Sequence, residues 1–124
     1  MSAAERARAF VDEVLIPREV AAEQAGGRLP EEEVAVIRRE ALERRLGGGL
    51  HAAEHGGQGW SHTEWFLVEE QLGRATNALS WHMPGAYNVL AHGTPAQIDR
   101  YLKPALRGEL HDAYAVTEEH AGLR

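Results

Sequence analysis

Two histidines four residues apart, with a glutamate just before the second, form the sharpest chemical signal in the chain: His51-Ala52-Ala53-Glu54-His55. On an α-helix this H-x-x-E-H spacing puts both imidazoles on one face, where they can hold a zinc ion beside a carboxylate base. The flanks argue against such a helix. Gly47-Gly48-Gly49 precede the segment and Gly56-Gly57 follow it, and glycine is a poor helix former. No separate helix offers a third ligand, so the expected reading is a surface loop without a metal. His62, His82, His92, His111 and His120 lack metal-ligand spacing and are expected at the surface or at helix ends. The glycines themselves make neither a G-x-G-x-x-G nor a Gly-Lys phosphate loop, which leaves a tightly turned or flexible connection. Ser61 and Ser80 have nearby histidines but no G-x-S-x-G elbow. Trp60, Trp65 and Trp81 read as core or interface aromatics.

Composition narrows the partners. A net charge of −6 leaves no basic stripe for a phosphate backbone, so no nucleic acid is expected. The absence of cysteine excludes disulfide scaffolds and thiolate metal sites. No apolar run approaches the ~20 residues of a membrane span, and Met1-Ser2-Ala3-Ala4-Glu5-Arg6 is not a secretory leader. A cytoplasmic protein that does not enter a membrane is the expectation.

Five helical segments account for most of the chain. Ala7, Phe10, Val11 and Val14 make one apolar face, and Ile16-Pro17 should end or kink that helix before the Gly26-Gly27 loop. A second helix is expected from about Pro30 to Leu46, with Val34, Ile37 and Ala41 inward and Gly47 as its stop. Ser61 and Glu64 have capping-box spacing ahead of a third helix, whose face is Trp65, Val68 and Leu72. A fourth is expected over Asn77–Ala91, kinked at Pro84, with Leu79, Met83, Ala86 and Leu90 inward. Thr94 and Gln97 cap a fifth, which buries Ile98, Tyr101 and Leu102 and breaks at Lys103-Pro104 and Gly108. Ala113-Tyr114-Ala115-Val116-Thr117 changes to the period of a short strand. A lone strand lacks ladder partners, so further structure is expected beyond Arg124.

The order of these features resembles the N-terminal domain of the acyl-CoA dehydrogenases. Phe10 through Pro17 matches an F-x-x-x-x-x-x-P element, and Arg39 through Leu50 an R-x-x-x-L-G-L-like helix end with extra glycines. Gly56-Gly57-Gln58-Gly59 matches a G-G-x-G loop core, and Glu69-Glu70-Gln71-Leu72-Gly73-Arg74 an E-E-L-(A/G)-R pattern. His92 through Leu102 fits H-G-(T/S)-x-x-Q-x-x-x-Y-L, Leu106 through Glu109 fits L-x-x-G-E, and Ala113 through Gly122 fits A-x-x-(V/L)-T-E-x-x-A-G. The order carries more weight than any single element.

The resemblance implies an all-α N-terminal helical domain over residues 1–112 and the start of a β-domain, as a short strand, over residues 113–124. It implies an FAD enzyme that converts an acyl-CoA to its 2,3-enoyl form. Tyr114, Val116, Thr117 and Gly122 are the implied cofactor-binding residues. The Thr117 hydroxyl and backbone groups near Val116 would bond the polar edge of the flavin, and Gly122 would admit close backbone approach. The segment around Trp81 and Pro84 would face the acyl pocket. The catalytic carboxylate would belong to a later domain, so no catalytic residue is assigned in this chain, which alone should be inactive. Glu119-His120 replaces a common Pro-Gly pair, and Leu123-Arg124 stands where Ser-Asp is usual. The implied partners are an acyl-CoA substrate and either further domains or other copies in a homo-oligomer. The rival reading is a stand-alone helical interaction module that pairs with a full-length relative.

Overall fold

The computed structural model describes residues 1–113 and residue 115. Helix α1 (Ala3–Phe10) opens on a capping box: the Ser2 hydroxyl accepts from the Glu5 amide at 3.2 Å, and the Glu5 carboxylate accepts from the Ser2 amide at 2.6 Å. Both bonds satisfy amides that a helix start leaves free. The expected break at Ile16-Pro17 takes the form of a bulge. A π-helical turn covers Val11–Leu15, closed by the Ile16 amide on the Val11 carbonyl, and a 3-10 turn covers Ile16–Arg18. The helical path then continues as α2 (Glu19–Gln24). Pro17 has no N–H for the carbonyl four residues back, and the wider turn absorbs that fault without ending the helix. Gly26 and Gly27, both at positive φ, stop it: Gly27 N–H reaches the Ala22 carbonyl and Gly26 N–H the Glu23 carbonyl.

Helix α3 spans Glu31–Glu43, shorter than the expected Pro30–Leu46. Its left-handed stop is Arg45, at φ 54°, not Gly47. The Leu46 amide bonds the Ala41 carbonyl and the Arg45 amide the Leu42 carbonyl, the same terminating motif built on a non-glycine. Arg6 of α1 supplies the compensation, its Nε donating to the Arg44 carbonyl at 2.8 Å. Helix α4 (His62–Leu72) starts at the Ser61–Glu64 capping box as expected.

The fourth expected helix does not form. Asn77–Ala91 instead holds a 3-10 turn at Leu79–His82, an irregular stretch at residues 83–87 that bends at Met83 and Pro84, and a 3-10 turn at Asn88–His92. The Pro84-Gly85 pair explains the outcome, since a missing donor followed by the most flexible residue defeats helix propagation. The fifth segment starts at the Thr94–Gln97 capping box as α5 (Pro95–Gln97). Lys103-Pro104 does not break it. A second π turn, Ile98–Leu102, sits just ahead of Pro104 as the first sits ahead of Pro17, and α6 (Lys103–Leu106) follows. Gly108, at φ 74°, ends it, with Glu109 N–H on the Pro104 carbonyl. Tyr101 is 43% exposed and does not join the buried side; Leu102, Ala105 and Leu106 do.

The core joins three helical stretches. Ala7, Phe10, Val11, Val14 and Leu15 meet Ile37 and Ala41 of α3, Val68 and Leu72 of α4, and Leu79. The main helix pairing is α1 on α4, and Arg74 Nη2 reaches the Asp12 carboxylate at 2.5 Å across it. No strand occurs among the described residues, and the strand expected over Ala113–Thr117 falls largely outside them. No helix among them is long and apolar enough to cross a membrane.

Candidate functional site

The glycine-rich loop is packed, not loose. A side-chain carbon on Gly57 would overlap the backbone of His51, and one on Gly49 would overlap the Trp65 ring. The loop closes on itself through Gly59 N–H to the His51 carbonyl at 2.9 Å, Trp60 N–H to the Gly49 carbonyl at 3.1 Å, and Gln58 Nε2 to the Gly47 carbonyl at 3.0 Å. His51 corrects the surface-loop expectation, since it is only 6% exposed. Its Nε2 lies 2.8 Å from the Ala86 carbonyl. A carbonyl only accepts, so Nε2 carries the hydrogen and offers no lone pair to a metal. The intervening residues make a 3-10 turn at Ala53–His55, so the two histidines do not share an α-helical face. No group of His, Asp or Glu side chains placed to hold a metal occurs among the described residues.

That histidine bond pins the Pro84–Tyr87 segment, and the segment walls a cleft of about 420 Å³. Such a volume lies in the range of small-ligand sites. Trp65, Trp81, Met83, Gly85, Tyr87 and Asp112 line it. Trp65 is half-buried and tilted against Trp60, with ring centroids 6.1 Å apart. Trp81 is 86% exposed, so of its two expected places, core or interface, it does not occupy the core. The Asp112 carboxylate accepts from the Tyr87 amide at 2.7 Å. That bond fixes the chain at the cleft rim one residue before the segment expected to carry the flavin contacts. Elsewhere Val20, Phe66 and Val89 stand two-thirds or more exposed.

His82, beside the cleft, is held below its ordinary pKa of 6.5. Desolvation is the main cause, and the Arg38 guanidinium and His111 add to it against the opposing pull of Glu31. The folded state therefore resists taking up this proton, while the unfolded chain accepts it near pH 6.5. The sign follows: this contribution to stability is complete above that pH and is lost as pH falls through the lower folded value. We expect the melting temperature to fall on acidification below about pH 6.5, and to fall less in His82→Asn. Identical pH profiles for the two proteins would remove His82 from the account.

Tyr114, Val116, Thr117 and Gly122, the expected cofactor-binding residues, lie outside the described residues. The cleft was hidden from sequence reading because the segment carrying Trp81 and Tyr87 followed a helical period. The Pro84-Gly85 pair was the signal that it would unwind.

The described residues form a helical layer with several half-open clefts, and the one beside Trp81 lies next to Asp112. The profile described as the acyl-CoA dehydrogenase N-terminal domain matches residues 2–109, and the chain belongs to that family. Two curated relatives are oxidoreductases by name. The 3-(aryl)acrylate reductase of Clostridium sporogenes is 32% identical over 74 residues, covering 56% of this chain and 20% of the relative. The caffeyl-CoA reductase-Etf complex subunit CarC of Acetobacterium woodii is 32% identical over 72 residues, covering 54% of this chain and 19% of the relative. The matched region thus spans about a fifth of the length of these relatives. No solved structure matches the chain significantly.

Proposed function

We propose that the chain is the N-terminal helical part of an FAD-dependent oxidoreductase acting on the Cα–Cβ bond of an acyl-CoA thioester. The observation that carries this is the family match over residues 2–109. Asp112, at the rim of the cleft, directly precedes the segment that the family resemblance assigns to the flavin. FAD, when bound, supplies the acceptor for the β-hydrogen that leaves as hydride after a base removes the α-proton. This chain's part is to bind and orient. The cleft walls take the acyl end, and Tyr114, Val116, Thr117 and Gly122 contact the cofactor. The base lies on another domain, so the 124-residue chain alone does not turn over.

A second reading concerns direction. Both relatives are named as reductases, which favours addition of hydrogen across a 2,3-double bond, with electrons delivered by a partner protein. The test uses the protein isolated from its native source, with its intact mass measured first. A mass above 13.7 kDa with a visible flavin band, bleached anaerobically by a saturated acyl-CoA, supports dehydrogenation. Reoxidation of the chemically reduced protein by an enoyl-CoA supports reduction. No flavin band and no response to either thioester would defeat both. A mass of 13.7 kDa would instead favour a helical interaction module.

A further inference from the structure

We infer that the cleft beside Trp81 takes an aromatic acyl group, a flat ring at the hydrocarbon end of the thioester, in preference to a straight alkyl chain. This rests on the acyl-CoA reading above and deepens it by naming the substrate class.

Trp81 is the first observation. Its ring is 86% exposed, so it adds almost nothing to the core, yet its backbone is fixed. Leu79, two residues earlier, is 1% exposed, and the Trp81 amide donates to the Ala78 carbonyl at 2.9 Å. Immediately upstream, Asn77 and Ala78 both lie in the left-handed region, at φ 55° and 53°. Two consecutive non-glycine residues in that region carry strain, and such strain clusters where a side chain must be aimed. The strained pair launches the turn that presents an indole to the cleft.

The other walls suit the same occupant. Trp65 is steadied by Trp60 and so keeps its orientation. Met83 is partly buried against the core and also lines the cleft, and its thioether is a favourable neighbour for a ring. Gly85 leaves its side of the cleft open, since a carbon added there would meet nothing within 4 Å. Aromatic walls reward a flat ring through stacked or edge-on contacts beyond simple burial. A straight chain gains only burial and gives up the freedom of several rotors.

The experiment compares two redox-inert thioethers of coenzyme A on the protein as isolated: a 3-phenylpropyl and a straight nonyl group, with equal carbon numbers. Binding is followed by calorimetry and by quenching of tryptophan fluorescence. The expected result is about tenfold tighter binding of the phenyl compound. Trp81→Ala should abolish that preference, weakening the phenyl compound several-fold more than the nonyl compound, and Trp81→Phe should restore most of it. Because Trp81 is so exposed, neither change threatens the fold. Gly85→Leu, which places bulk in the open space beside Trp81, should weaken the phenyl compound most. Equal binding of both compounds, or an equal loss of both in Trp81→Ala, overturns the aromatic inference and leaves the acyl-CoA reading standing. Failure of both compounds to bind overturns the two together.

Discussion

Gly57→Ala should destabilise the protein by about 3 kcal/mol, at the upper end of what overpacking does. Its melting temperature should fall by on the order of 10 °C or more. The added methyl has nowhere to go: it would overlap the carbonyl oxygen and carbon of His51 and lie 2.7 Å from the His51 Cβ. A flexible side chain could swing aside, but backbone cannot move alone. The His51 carbonyl already accepts from Gly59 N–H, and the His51 ring holds the Ala86 carbonyl. Relief of the clash therefore loosens a buried histidine and the wall of the cleft together. Gly85→Ala is the matched control, because its added carbon meets nothing, and it should melt within a degree or two of the parent. Thermal denaturation followed by circular dichroism decides the matter. A Gly57→Ala protein as stable as Gly85→Ala would show that the loop is looser than its packing.

The sequence made some of this legible and not the rest, for physical reasons. Capping boxes at Ser61 and Thr94 could be read because they depend on residues three apart. The inward faces of α1 and α3 were readable because burial follows a fixed period there. The Asn77–Ala91 segment misled because Leu79, Met83, Ala86 and Leu90 keep that period without forming a helix. Their pattern is satisfied instead by short turns, with only Leu79 fully buried. His51 misled for a different reason. Glycine runs normally mark solvent-exposed chain, but here they let backbone approach backbone, and a polar ring is buried with its bond to Ala86. Such contacts join residues 35 positions apart, and no local spacing encodes them. The family, by contrast, was readable because motif order survives where pairwise contacts cannot be seen.

The two phenylalanines offer the second large effect, and each serves as the other's control. Phe10 has no exposed surface and sits in the core with Val14, Ile37, Val68 and Leu72. Phe10→Ala leaves a void at the junction of α1 and α4 and should lose about 3–5 kcal/mol. That is a large part of the 5–15 kcal/mol, roughly, that holds a typical domain folded. Phe66, on α4, is 69% exposed. It follows Trp65 directly and so lies off the Val68–Leu72 face that packs on α1. Phe66→Ala should change stability by less than about 0.5 kcal/mol. Urea titration of both variants measures the difference. A loss at Phe66 as large as at Phe10 would mean that this outer face of α4 is covered in the protein as it exists. The apolar surface it shares with no other described element would then belong to an interface. A near-neutral Phe10→Ala would refute the core itself, and with it the pairing of α1 and α4 on which the cleft's scaffold depends.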